Sequence, residues 1–247
     1  MIKIAEILTP SMKKIHHEMG DTRALWQRRL SAESDFCKAV LRCGYLTQEQ
    51  MQRAVSRYRL GRSRDGGVIF WQIDEQERVR DGKIMYYQAD CHRDRQRHPN
   101  WVSYLLKKHY GYKGEVKSTH CLFGLHLLSL ISHLSSCDDN RIIAVVEAEK
   151  TAVIMSELLP QYIWMACGGL RELSAEKLRP LHDHRMMLFP DTDPHREAFT
   201  LWYEVAQEAR RLYDCDIRVS DLLERHASAE QKARKIDIVD CVMRTER

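Results

Sequence analysis

"RMMLFPDTDPHREAF", Arg185 to Phe199, drives four apolar residues into a proline and then into two aspartates one residue apart. Two readings fit. A buried strand can end there, with an aspartate capping the helix that follows. Alternatively, two carboxylates at the mouth of a sheet hold a divalent metal. Alternate residues of an extended segment point the same way, so a D-x-D pair can aim both side chains at one ion. Oxygen donors of this kind suit Mg2+ or Mn2+, with room left for phosphates.

The surroundings of this stretch repeat its design. "IIAVVE" (142–147) is an apolar run ending in an acid, and "KTAVIMSELL" after it has helical spacing. "YIWMAC" (162–167) is a second run, closed by the turn residues Gly168 and Gly169. Ser174 is placed to cap a helix through about His182, and Pro194 suits the first turn of another that continues to Tyr213. "CDIRVS" reads as a fourth strand. Continuous apolar runs alternating with helices predict a mostly parallel, Rossmann-like α/β sheet. Ligands of such sheets gather beyond the carboxyl ends of the strands. Glu147, Asp191 and Asp193 are all expected there, and Lys150 in the next helix lies within reach of a phosphate or of solvent.

Upstream the pattern changes. Residues 21–60 read as helical, with Thr47 and Gln50 spaced as a capping box and Gly61 as the stop. "GGVIFWQID" and "VRDGKIMYY", joined by "EQER", predict an antiparallel hairpin with Ile69, Trp71 and Ile73 on one face. "CLFGLHLLSLISHL" reads as an apolar helix after a turn at Gly124, and "SSCDDN" (135–140) as a boundary. The reading is a helical segment (1–65), a basic α+β subdomain (66–138) and an α/β domain with a C-terminal helix (139–247).

Charge follows the same division. Residues 1–146 carry 24 Lys and Arg against 16 Asp and Glu; residues 147–247 carry 15 against 19. Within 76–117 ten cations face five acids, with Trp71, Tyr86, Tyr87, Trp101 and Tyr104 in or beside the stretch. Cations for phosphates and aromatics for bases are what single-stranded DNA or RNA requires. Arg78, Arg80, Lys83, Arg93, Arg95, Arg97, Lys107 and Lys108 are the candidates, with Trp71 expected in the core.

The eight cysteines include no CxxC pair, which argues against a zinc ribbon. His182 and His184 are expected at a helix end rather than on zinc. No apolar run reaches the length of a membrane span, and the N-terminus has no signal-peptide pattern, so the chain is read as cytoplasmic with reduced thiols.

Taken together, "VVEAEKTAVIMSE", "ACGGLRELSAEKLRPL" and "MMLFPDTDPHREAFTLW" resemble a toprim domain over about residues 141–219. That fold is shared by DnaG-type primases, topoisomerases and some nucleases. The upstream segments "FCKAVLRCGYLTQEQMQRAVSRYRLG", "GVIFWQIDEQERVRDGKIMYY" and "CLFGLHLL" are similar to the helical segment, hairpin and pre-toprim block of the primase core. The overall likeness is to compact primase-like proteins of mobile elements. It implies that Glu147 serves acid/base chemistry or metal binding, that Asp191 and Asp193 bind Mg2+ or Mn2+, and that Gly168 closes the second strand. It implies RNA primer synthesis on single-stranded DNA, with nucleotides and a helicase or zinc-binding protein as partners. A toprim nuclease, or a non-catalytic module that grips DNA for a partner, stays open. Two departures stand out: Ala148 and Thr192 occupy positions that are usually glycine in primases.

Overall fold

A computed structural model describes residues 31–110, 120–129 and 141–245. The chain divides into two compact units, Met1–Cys121 and Leu122–Arg247. The boundary expected near 138 lies outside the described residues, as do residues 21–30 of the expected helical segment, the helix beyond Ser129, and Lys113 and Lys117.

The first unit opens with α1 (Asp35–Arg42), capped by the Ser34 hydroxyl, and α2 (Gln48–Tyr58). Thr47 and Gln50 form the expected capping box. Helix α2 is not stopped by Gly61. Arg59 takes the left-handed cap at φ 55°, while Gly61 already belongs to a short strand, β1 (Gly61–Arg62). The hairpin forms as expected from β2 (Val68–Ile73) and β3 (Val79–Met85), and β4 (Asn100–Trp101) adds to β3, giving a four-stranded antiparallel sheet ordered β1-β2-β3-β4.

Both faces of β2 are buried. On one face Ile69, Trp71 and Ile73 pack with Ile84, and with Val102 and Leu105 of α3 (Val102–Tyr110). On the other, Phe70 meets Phe36 of α1 edge-on at 5.6 Å, and Tyr87 joins them. The Trp71 ring needs space on both neighbouring strands. It lies opposite Gly82, where a Cβ would come within 2.8 Å of the ring, and beside Gly61, where one would come within 2.9 Å of Nε1.

The second unit is the α/β layer that the apolar runs predict. Strands β5 (Ile142–Val146), β6 (Tyr162–Ala166), β7 (Met186–Phe189) and β8 (Ile217–Val219) are all parallel and ordered β6-β5-β7-β8. Helix α4 (Glu149–Leu158) returns the chain from β5 to β6. Phe123 extends the sheet by one antiparallel bridge to Ala166, with both N–H···O bonds formed (2.8 and 3.0 Å). Gly124 turns at φ 87°, and helical residues resume at Leu127.

Two expected helices differ in extent. Ser174 caps α5 (Ala175–Leu178), but the chain then tightens into a 3-10 turn at Arg179–Leu181. Pro180 has no N–H to continue the α ladder. Pro194 lies in a turn, and α6 begins three residues later, at Glu197, running to Tyr213. Beyond β8 come three short helices rather than one: α7 (Leu222–His226), α8 (Ala229–Ala233) and α9 (Ile238–Thr245).

Candidate functional site

Strands β5 and β7 are neighbours in register, Val146 opposite Phe189. The chain therefore delivers Glu147 and Asp191 to the same edge of the sheet, one and two residues beyond those strand ends. Gly168 closes β6 alongside them: its N–H donates to the Glu147 carbonyl (2.9 Å), at a φ of 95° that a side chain would resist. Gly169 starts the next turn, accepting from the Glu172 N–H at 3.0 Å.

The two aspartates of the D-x-D then part company. Asp193 is buried, and its carboxylate is spent on the backbone. Oδ1 accepts from the His195 N–H (2.8 Å) and Oδ2 from the Ala198 N–H (2.9 Å). Burial opposes its charge, but the N–H groups of Ala198, Glu197 and His195 outweigh that and hold its pKa below the ordinary aspartate value. Arg196, at the start of α6, has a φ of 58° and supplies no side-chain cap, so Asp193 satisfies the first turn from three residues upstream.

Asp191 has the opposite environment. Burial, then the charges of Asp237, Glu147 and Asp240, push its pKa well above the ordinary value, with Lys150 pulling the other way. Lys150 is thus close enough to act on this carboxylate, from the first turn of α4. Asp237 and Asp240 escaped the sequence reading because nothing in their spacing ties them to a strand end. Asp237 caps α9 in a reciprocal pair with Asp240 (3.0 and 3.2 Å), and the Thr151 hydroxyl of α4 donates to it at 2.6 Å. A D-x-x-D before an apolar helix was the available signal.

Among the described residues, no group of three or more His, Cys, Asp and Glu side chains stands gathered to hold an ion. The donor chemistry at Asp191 still fits Mg2+, which is commonly held by one or two carboxylates plus waters and substrate phosphates rather than by a closed cage. Glu147 and Asp191 supply two carboxylates from adjacent strands, while both oxygens of Asp193 accept backbone N–H groups.

The basic segment also divides. The Arg78 and Arg80 side chains both donate to buried Asp74, at 2.8 and 2.7 Å, and pin the hairpin turn. Burial opposes the Asp74 charge, but these bonds and cations hold its pKa down. Arg97 donates to Asp65 (2.9 Å) and lies 3.6 Å over the Tyr86 ring, whose hydroxyl donates to the same carboxylate. Lys83 is half-buried in β3. Arg93, Arg95, Lys107 and Lys108 are exposed, and Tyr104, at 52% exposure, lies beside Lys108. Trp71 is in the core as expected, and Trp101 stacks on His120 at 4.1 Å. His182 sits at a helix end, against the Arg179 carbonyl. None of the seven cysteines in the described residues forms a disulfide. Burial pushes Cys37 up to about 11 and Cys121 and Cys167 to about 12. No helix in the described residues is long and apolar enough to cross a membrane.

No curated protein matches the chain. A solved structure, the crystal structure of the primase fragment of the bacteriophage T7 primase-helicase protein, is similar at 17% identity with a TM-score of 0.45. The likeness covers 78% of this chain and 66% of that one, just under two thirds of its length. The family model described as a domain of unknown function, DUF6371, matches residues 34–192, well over half of the chain, and the chain belongs to that family.

Proposed function

We propose that the chain is a primase-like toprim protein that performs Mg2+-dependent nucleotidyl transfer on single-stranded DNA. One observation carries this reading: Glu147 and Asp191 emerge from adjacent parallel strands at one edge, with Lys150 beside them. The resemblance in sequence around those residues supports it. A divalent ion at Glu147 and Asp191 would stabilise charge on transferring phosphates. Lys150 would add a positive charge from the helix. Arg93, Arg95, Lys107 and Lys108 would hold the strand by its phosphates, and Tyr104 offers a ring for a base.

The test is incubation with a single-stranded template, labelled ribonucleotides and Mg2+ or Mn2+. Labelled oligomers from wild type and none from Asp191→Asn are expected. Shortened template without synthesis would replace the reading with a nuclease. A second reading, a DNA-gripping module without chemistry, is favoured by the use of Asp193 as a backbone acceptor. Template binding with neither product would establish it.

A further inference from the structure

The middle residue of the D-x-D is held more tightly than a spacer needs to be. Thr192 is 1% exposed. Its hydroxyl donates to Glu224 Oε1 at 2.7 Å, and its N–H donates to the Ile236 carbonyl at 3.1 Å. Both partners come from the segment after β8. Glu224 is itself fixed there: its side chain is 5% exposed, Lys232 Nζ donates to its Oε2 at 3.1 Å and to its carbonyl at 2.8 Å, and Arg196 Nε lies 3.7 Å away. A buried carboxylate with one oxygen on a lysine and the other on the loop hydroxyl is an expensive anchor to build for a surface turn.

We infer that Glu224 is a positioning residue for Asp191, acting through the Thr192 hydroxyl. The inference rests on the metal reading of Asp191 proposed above. Thr192 is clamped by the C-terminal segment, and Asp193 by the first turn of α6. Asp191 is left between Pro190 and a fixed Thr192, so its backbone has little freedom. That constraint matters because the charges of Asp237 and Glu147 oppose its own, and a free loop could relieve them by moving away. The threonine that departs from the usual glycine is then a means of holding the ligand in place, since glycine offers no hydroxyl for the anchor.

The test is Mn2+ binding, read from the free-ion paramagnetic resonance signal, on wild type, Thr192→Ser, Thr192→Val and Thr192→Gly, with metal-free melts alongside. Wild type and Thr192→Ser should bind alike. Thr192→Val and Thr192→Gly should bind about tenfold more weakly, as when residues that orient metal ligands are removed. Thr192→Gly adds no buried methyl beside the carboxylate and carries the test if Thr192→Val does not fold. Equal Mn2+ affinity in every folded variant, even with lowered melting temperatures, overturns the positioning role and leaves the metal reading standing. A wild type that binds no Mn2+ overturns the metal reading, and this inference with it.

Discussion

Asp193 offers the sharpest test of how the D-x-D divides its work. Replacing it with alanine removes two hydrogen bonds to a buried carboxylate, at 2.8 and 2.9 Å, and leaves the buried Ala198 N–H unsatisfied, while exposed His195 can turn to water. Loss of a cap costs about 0.5–2 kcal/mol. Leaving a buried donor unpaired costs about 1–3 kcal/mol. These costs overlap, so the expected loss is about 2 kcal/mol, the top of the first range and the middle of the second. For a unit of this size that is on the order of 10 °C in melting temperature. Asp193→Asn keeps a carbonyl acceptor and should lose about 1 kcal/mol, the net worth of an ordinary hydrogen bond.

Acid separates the two carboxylate roles further. Burial works against the Asp193 charge, but the three backbone donors prevail and its folded pKa lies below the unfolded value. Its stabilisation is therefore complete above about pH 4 and disappears as pH falls through the lower folded value. Wild type should weaken in that acid window more steeply than Asp193→Asn. Urea melts at neutral pH and across the acid range measure both effects. A metal-free Asp193→Ala as stable as wild type, but lacking a Mg2+-dependent rise in stability, would refute the capping argument and return Asp193 to the ion.

For Asp191 the sign reverses. Burial and then Asp237 and Glu147 raise its folded pKa, so the stability linked to it is full below the unfolded value near pH 4 and is lost as pH rises through the folded one. Asp191→Asn should melt higher than wild type in metal-free neutral buffer and lose any Mg2+-dependent shift; equal shifts in both proteins would remove Asp191 from the ligands. Burial, with the hydrogen bond to Asp65, pushes the Tyr86 phenol to about 12, so absorbance titration should show a late tyrosine ionisation, part of which Asp65→Asn should bring earlier. Arg93→Ala with Arg95→Ala should weaken binding to single-stranded DNA and flatten its log–log salt slope by about 1.4, at about 0.7 per lost phosphate contact. Arg97→Ala should instead lower the melting temperature of the first unit, because Arg97 pairs with Asp65. An unchanged slope in the double variant would place Arg93 and Arg95 on a merely solvated face.

The parallel sheet was legible because β5 and β6 are buried on both faces, and they and β7 read as unbroken apolar runs, from "IIAVVE" to "MMLF". The capping box at Thr47 was legible because it is local, closed within four residues. Long-range pairing hid the rest. Nothing near Arg78 and Arg80 says that both will converge on Asp74, so a run of cations looked uniformly available when three of its members pair with carboxylates of their own unit. The Asp237–Thr151 bond joins residues 86 positions apart. The left-handed cap at Arg59 was missed because glycine is the usual signal for that conformation, and Arg59 occupies it without one.

These misses share a cause that bears on the site itself. A carboxylate read in sequence has no environment, and environment decides what it does. Asp191 and Asp193 are two residues apart, yet backbone donors lower one pKa while burial and neighbouring acids raise the other. A group held charged by three N–H groups already has its counter-dipoles and gains less from a cation. A group crowded by Asp237 and Glu147 has unfavourable electrostatics that a cation would relieve. The same loop thus anchors α6 with one aspartate and keeps the other in the environment where a divalent ion would gain most, which is why metal titration of single variants, rather than the D-x-D pattern, decides between the fold-making and chemical readings.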